Sequence, residues 1–416
     1  MLVMEMSSKT QKNPSIRFKG FTDTWEQRKL SDIVKLFGGY AFSSDDSNSC
    51  GVPWLKIANV GKNGIDWSTT SYLPDNFWLD YEAFRLFTGD YVMALTRPIL
   101  NHALKIAVID KNALLNQRVA KLIFETNDEY GFQLLQRRAV VDRIESELAG
   151  TDPPNLGSGN LKNITISITT NNDEQTKVGA FFKQLDNTIA LHQRQLDSYK
   201  ELKKTSMQRI FNQELRFKDK NGNDYPLWQN KRLKDLGKFY SGTGFNDKYQ
   251  GYLDLSIPFF KVSDMNISSN SKYMVESNNT VDDDICREMN INKVTGPAIL
   301  FAKVGAAIYM ERKRIVHNDF LMDNNMMALR INDSVDIEFT YYLCQSLSFS
   351  KYAQVGALPS YNASDIGRLH CKLPVISEQK KIAIFLSTLD QKVNEAAQKV
   401  ELFKELKKGL MQQMFF

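Results

Sequence analysis

Apolar side chains follow two different periods along this chain. The stretches Asn172 to Phe211 and Ser377 to Phe415 each contain no proline and one glycine, and their apolar positions recur in steps of three and four. Leu389, Val393, Ala396, Val400, Phe403, Leu410 and Met414 mark the stripe in the second stretch, and Leu185, Ile189, His192, Leu196, Tyr199 and Ile210 mark it in the first. That spacing lays one apolar seam along a helix, which needs a second helix to cover it. Each seam is broken once, at Lys407 with Leu406 beside it and at the matching shift to Leu202. Acids and amides open both stretches, at Asp173-Glu174-Gln175 and Ser377-Glu378-Gln379, and lysine pairs lie toward the far ends, as the helix dipole favours. About 35 residues at a rise of 1.5 Å predict helices on the order of 50 Å long.

Elsewhere the apolar runs are short and broken by Gly, Pro, Asn and Asp, which predicts strands with loops between them. Val52-Pro53-Trp54-Leu55-Lys56-Ile57 matches Ile257-Pro258-Phe259-Phe260-Lys261-Val262, and Gly89 to Ala94 matches Gly296 to Phe301. These pairs belong to a longer repeat. Trp25-Glu26-Gln27-Arg28-Lys29-Leu30 returns 203 residues later as Trp228-Gln229-Asn230-Lys231-Arg232-Leu233, and Lys200-Glu201-Leu202-Lys203-Lys204 returns 204 residues later as Lys404-Glu405-Leu406-Lys407-Lys408. Two distant anchors keep nearly one spacing, so almost the whole chain is duplicated. The predicted organisation is α+β, with a flexible tail over 1–14, a mixed α/β module over 15–170, a long helix over 171–212, a second module over 213–373 and a second long helix over 374–416. The nearest partner for each helical seam is the other copy, and Leu185, Ile189, Leu196, Tyr199, Leu389, Val393, Val400 and Phe403 are the expected partner-binding positions.

Composition adds limits. At 416 residues with 42% hydrophobic and 24% charged residues, the chain has enough apolar surface for one core per repeat. No run of about 18 uncharged apolar residues is present, and the first 13 residues hold no long apolar run, so a cytoplasmic protein is expected. The four cysteines and four histidines are scattered, which disfavours a disulfide framework and a metal centre. Net charge is +5, yet Lys200 to Lys238 alone holds eleven Lys or Arg against five acids. A local basic strip suits a polyanion, and equally a solvated helix face followed by a charged linker.

Catalytic motifs are scarce. There is no phosphate loop ending in Gly-Lys-Ser or Gly-Lys-Thr, and no Ser, Cys or His in a nucleophile setting. Asp152-Pro153-Pro154-Asn155 comes near the Asp-Pro-Pro-Tyr loop with which adenine methyltransferases grip a flipped base. Its fourth residue has no ring to stack, and the repeat counterpart Leu358-Pro359-Ser360-Tyr361 has no acid, so a plain loop is the better reading and a catalytic methyltransferase the alternative. Loops with Arg, Lys, Asn and Gln at matching stations of the two modules suit base and phosphate contact. The candidate DNA contacts are Lys56, Arg97, Asn101, Lys105, Gln117 and Arg118 in the first module. In the second they are Lys261, Lys303, Tyr309, Arg312, Lys313, Asn324, Asn325 and Tyr361. A coiled-coil adaptor that never meets nucleic acid is the third class, and it predicts no steep salt dependence of DNA binding.

Ile16-Arg17-Phe18 with Trp25, the copies Leu215-Arg216-Phe217 with Trp228, the helix starts Glu174-Gln175 and Glu378-Gln379, and the two basic helix ends together resemble the specificity subunit of type I restriction-modification enzymes. The resemblance covers residues 15 to 416. It implies two target recognition domains, each reading one half of a split double-stranded DNA target, and two helices packed antiparallel as a spacer. It also implies two docked methyltransferase subunits and, through them, restriction subunits. No catalytic residue, cofactor or metal is then expected on this chain; S-adenosylmethionine, ATP and Mg belong to the partners. Half-sites read from one face of a duplex lie roughly 34–36 Å apart, a span within reach of helices of the expected length.

Overall fold

The computed structural model describes residues 13–61, 64–150, 152–354, 356 and 358–415. Most of the expected tail lies outside these residues. Its end is held, because the Asn13 side-chain oxygen accepts a 2.9 Å hydrogen bond from the Trp25 backbone N–H. The chain forms two compact units, Met1–Gln193 with Gln398–Phe416, and Arg194–Ala397. Each unit therefore takes the first part of one long helix and the last part of the other.

In the first unit the main sheet has the order Val34–Gly38, Val119–Phe124, Tyr91–Ala94, Ile106–Val108, with every pair antiparallel. Tyr91–Ala94, between two neighbours, is buried at all four positions. A second sheet has the order Ser71–Leu73, Val52–Leu55, Ala113–Leu115, Arg85–Leu86, and its central pair is parallel. Helices Asp128–Leu135 and Arg138–Glu147 pack on the main sheet; the first starts where the Asn127 side chain accepts from the Tyr130 N–H.

The second unit repeats the plan. Its main sheet has the order Gly237–Ser241, Met326–Ile331, Ala298–Ala302, Lys313–Val316, all antiparallel, and Ile257–Phe260 again pairs in parallel with Leu321–Met322. Helix Ile337–Ser346 begins at an Asp336 cap. The strands predicted over 52–57 and 257–262 are shorter than expected, so Lys56 and Lys261 lie just past the strand ends rather than within them.

A two-stranded ribbon closes each module, Glu26–Lys29 with Thr165–Ile168 and Gln229–Arg232 with His370–Leu373. Behind the ribbon sits a lock that explains the repeated motif residues. Arg17 bonds both carboxylate oxygens of Glu174, at 2.6 and 2.8 Å, and Glu174 is 0% exposed. In the second unit Arg216 reaches Glu378, also 0% exposed, at 3.1 and 3.4 Å, and the Trp228 indole N–H donates to the same carboxylate at 3.0 Å. The neighbouring glutamines work in parallel. Gln175 accepts from the Asn127 N–H and donates to the Thr169 carbonyl, while Gln379 accepts from the Asp336 N–H and donates to the Pro374 carbonyl. The Glu-Gln pair at each helix start thus ties the helix to the entering chain and to the cap of the helix behind the main sheet.

The long helices run Asn172–Phe211 and Ile376–Met414, and inside each unit their segments pair antiparallel. In the first unit Phe182 meets Phe415, Lys407 bonds Asp186 at 2.7 Å, and His192 stacks on Phe403 at 5.1 Å. In the second, Lys203 pairs with Asp390 and Lys392 lies over the Tyr199 ring. The breaks in the two seams therefore have one cause. Lys203 and Lys407 point inward, and Asp390 and Asp186, also 204 residues apart, neutralise them. Of the seam residues named above, Leu196, Leu389 and Val400 are buried, and Leu185, Ile189, Tyr199, Val393 and Phe403 are half-buried. The large apolar side chains exposed on the two helices, among the described residues, are different ones, Leu191, Leu202, Ile376, Ile384, Leu402 and Leu406.

The last turn of each long helix plugs its module. Phe415 packs against Trp25, Tyr130 and Phe182, and Phe211 packs against Trp228 and Phe339. Glu174→Ala leaves Arg17 with no carboxylate and should cost about 3–5 kcal/mol, as expected for half of a buried ion pair. Glu378→Ala should cost less, about 2–3 kcal/mol, because Arg216 keeps the Tyr225 and Pro226 carbonyls at 3.1 and 2.7 Å. Urea denaturation of the two variants checks both the size and the order.

Candidate nucleic-acid interface

At one end of each main sheet four loops are stitched together by backbone hydrogen bonds. In the first module Tyr40 donates to the Leu115 carbonyl and accepts from the Gln117 N–H, the Leu95 N–H donates to Arg118, and the Arg97 N–H donates to Pro154, over distances of 2.7 to 2.9 Å. The second module repeats this with Thr243 to Met322, Lys303 to Asn325, Gly305 to Pro359 and Tyr361 to Lys303, at 2.8 to 3.2 Å. The close approach requires glycine at one point in each copy. A Cβ on Gly39 would lie 2.3 Å from the Leu115 oxygen, and one on Gly242 would lie 1.7 Å from the Asp323 oxygen.

The stitched cluster gathers some of the predicted contacts and leaves others out. Arg97, Gln117 and Arg118 are exposed on it in the first module; in the second, Asn324 and Asn325 stand at the stations of Gln117 and Arg118, Lys303 at that of Leu95, and Gly305 at that of Arg97. Arg97 sits at φ +47°, an uncommon backbone state for a non-glycine residue and one often found where a side chain is aimed at a function. Asn101 and His102 turn the hairpin Ile99–Leu100/Ala103–Leu104 with φ of +50° and +57°, and Arg97 and Asn101 line one concavity of about 700 Å³. Tyr309 is 61% exposed on the short turn after Gly305. The sequence reading missed Tyr40, an exposed ring in the first cluster that packs on Phe42, Tyr81 and Phe84; the glycines recurring at 39 and 242 were the signal.

Lysines at the margin are partly occupied. Lys56 bonds the Ser71 hydroxyl at 3.0 Å over the Trp54 ring, and burial lowers its pKa, as it does that of Lys105. Lys261 bonds Gln250 at 2.7 Å, and Arg312 is held by Asn266. Asp323 shapes the second cluster by accepting from the Asn325 N–H at 3.0 Å. Burial raises its pKa, with that bond and Lys261 opposing.

Two expected contacts are corrected. Lys313 is 1% exposed, with its ammonium against Glu311 at 2.5 Å and the Leu347 carbonyl at 3.0 Å, so it is an internal counter-charge and cannot reach a duplex. Burial alone would raise the Glu311 pKa, but the bonds from Lys313 and Ser350 outweigh it and hold the carboxyl low. Tyr361 is 5% exposed and donates to the Ala302 carbonyl at 2.5 Å, packed between Phe301 and Phe349. The Asp152–Asn155 loop is a brace of the same kind: Pro154 receives the Arg97 N–H, and Asn155 bridges Thr96.

A family model described as the type I restriction modification DNA specificity domain matches residues 22–201 and again 225–402. The chain belongs to this family. It carries two copies of the specificity domain, in agreement with the repeat and with the two units. Curated relatives include the MjaVIII specificity subunit of Methanocaldococcus jannaschii, 32% identical over 205 residues, or 48% of this chain and 48% of the relative. The EcoAI specificity subunit of Escherichia coli is 38% identical over 100 residues, 23% of this chain and 17% of its own length. This chain thus spans about half of the first of these relatives and less of the second. The MjaIX specificity subunit of M. jannaschii matches along the length, 20% identical over 94% of this chain and 93% of the relative. Among solved structures, the type I restriction-modification S subunit from M. genitalium has the same fold, with a TM-score of 0.62 at 14% identity, covering 97% of this chain and 99% of that one. These relatives are specificity subunits, not catalytic methyltransferases, so the Asp-Pro-Pro-Asn alternative falls. Among the described residues no group of His, Cys, Asp and Glu is arranged to hold a metal ion, and no helix is long and apolar enough to cross a membrane.

Alanine at Arg97, Arg118 or Lys303 should weaken binding to a cognate duplex by about 1–3 kcal/mol where the contact is to a base. Lys313→Ala should instead lower stability by about 2–3 kcal/mol by stranding Glu311. Fluorescence anisotropy with labelled duplex and chemical denaturation separate the two kinds of effect.

Proposed function

We propose that this chain is the DNA-recognition subunit of a type I restriction-modification complex, each specificity domain reading one half of a bipartite target through its stitched loop cluster. The observation that carries the reading is the pairing of like frames with unlike side chains. The backbone bonds of the two clusters correspond, while the side chains they present are the exposed Arg97, Gln117 and Arg118 in one and the exposed Asn324 with the half-buried Lys303 and Asn325 in the other. A shared frame with different donors and acceptors suits two different short sequences, since base edges are told apart by their hydrogen-bond patterns.

In this reading the chain performs no reaction. Methyl transfer, S-adenosylmethionine, ATP and Mg belong to methyltransferase and restriction subunits recruited to it, and the work is done on DNA in the cytoplasm. Residues 15–170 and 213–373 are the proposed recognition domains, with the long helices as the elements shared between the two copies.

Exchanging residues 15–170 for the matching region of a relative should replace one half-site and leave the other unchanged. Mapping methylated adenines in a genome that carries the hybrid with its partner subunits reads this directly; a change in both half-sites would defeat the modular reading. The isolated chain incubated with labelled S-adenosylmethionine and duplex should transfer no methyl group. DNA binding should fall steeply with salt, because phosphate contacts release counterions.

A further inference from the structure

We propose that the first module holds a binding site for a phosphate group, in the cavity between its closing ribbon and the helix Arg138–Glu147. The cavity has a volume of about 270 Å³ and shares no residue with the candidate base contacts, so the inference goes beyond the function proposed above. Arg137 and Arg143 line it together with Gln27, Ala139 and Ser167, and no carboxylate does.

Local structure brings these groups together. Pairing of Glu26–Lys29 with Thr165–Ile168 sets Gln27 opposite Ser167, and the Gln27 amide donates to the Ser167 hydroxyl at 2.5 Å. Ala139 and Arg143 are one helical turn apart and so share the face turned to this ribbon. Arg143 is pinned there by donating to the Thr165 carbonyl. Arg137, the residue just before the helix, reaches the cavity from the helix end and lies over the Phe415 ring.

The protein leaves the charges in this cavity unbalanced. The ion pair of the helix joins Arg138 to Asp142 at 2.7 Å, and among the described residues neither Arg137 nor Arg143 has a carboxylate at ion-pair distance. The half-buried Arg137 guanidinium also has no hydrogen-bond partner among the described residues. Burial lowers its pKa to about 10, Tyr130 opposes that, and the charge of Arg143 adds to it, so Arg137 is still protonated at neutral pH. The helix end adds to the excess. The preceding helix, Asp128–Leu135, starts with a capping Asn127 and with Asp128 and Glu129, whereas Arg138–Glu147 has neither a capping side chain nor an acid in its first turn. The positive end of its dipole therefore opens beside two guanidinium groups. Ser167 is 6% exposed, and its hydroxyl, having accepted from Gln27, keeps a proton with no acceptor among the described residues.

An anion with several acceptor oxygens meets all of these donors at once. Guanidinium forks fit carboxylate and phosphate alike. The number of donors and the doubled charge favour phosphate, which brings at least three oxygens and up to two charges where a carboxylate brings two oxygens and one charge. The second module has Asn230 and Lys372 at the ribbon positions of Gln27 and Ser167, and a short turn, Phe349–Tyr352, follows its helix Ile337–Ser346 in place of a ten-residue helix. The site thus belongs to the first copy.

The test uses the full chain with inorganic phosphate as the probe, read by isothermal titration calorimetry and by thermal denaturation against sodium chloride of equal ionic strength. The parent should bind phosphate saturably and melt higher in phosphate than in chloride. Arg143 is exposed, so R143Q should melt with the parent in chloride while its Kd for phosphate rises at least tenfold. R137Q should do the same; should it fail to fold, because Arg137 also lies on the Phe415 ring, R143Q and S167A decide. R138Q, on the neighbouring paired arginine, should change the Kd less than twofold. Titration with duplex separates two sources of the phosphate group. If a backbone phosphate of DNA is the natural occupant, R143Q weakens cognate and unrelated duplexes equally and lowers the salt slope by about one. If a free phosphate or phosphomonoester is, duplex affinity stays within twofold of the parent. No saturable binding of phosphate by the parent, or an equal loss in R138Q and R143Q, overturns the site and leaves the proposed function standing.

Discussion

A carboxylate sealed at the start of each long helix holds every module in place. Glu174 and Glu378 are fully buried, and each meets an arginine from the chain segment that enters its module. Taking both charges out of water is expensive, and their attraction repays this only when the geometry is good. Such a pair therefore does less for net stability than for specificity of structure: any arrangement that parts Arg17 from Glu174 strands a charge in the interior. Because the partners are 157 and 162 residues apart, each pair also ties the beginning of a module to its end.

Around that lock the two copies are alike in what holds the backbone and unlike in what faces outward. The Gln175 and Gln379 bridges, the aromatic plugs Phe211 and Phe415, the Lys203–Asp390 and Lys407–Asp186 pairs and the glycines at 39 and 242 recur at nearly constant spacing. The exposed loop side chains do not. This division suits the proposed reader, in which the frame presents loops at a fixed place and each loop carries its own donors and acceptors. The lysines inside the helix pairs add orientation. Each has one aspartate opposite it, so a slipped register leaves an unmatched charge between the helices.

Much of the architecture was legible in the residues. The four-three spacing and the absence of proline announced both long helices, because a helix shows its period along the chain itself. The repeat gave the two units, and Trp25, Arg17, Glu174 and their copies marked the family before their contacts were visible. The candidate site was less legible. Lys313 and Arg118 look alike in sequence, yet Lys313 lies on a buried strand against Glu311 while Arg118 stands on a turn. Tyr361 sat in a loop by every local signal and is nonetheless packed between two phenylalanines.

Local pattern alone therefore determined where the helices run, how the chain is duplicated and which residues recur, since periodicity and repetition are properties of neighbours in the chain. Only tertiary structure decided which charges face inward. Burial of a basic side chain depends on whether a distant acid arrives opposite it, as Glu174 does for Arg17 and Asp186 for Lys407. It likewise decided that segments of the two long helices pair inside each unit, and that the basic helix ends wall concavities rather than lie flat in solvent, because both follow from segments far apart in sequence meeting in space.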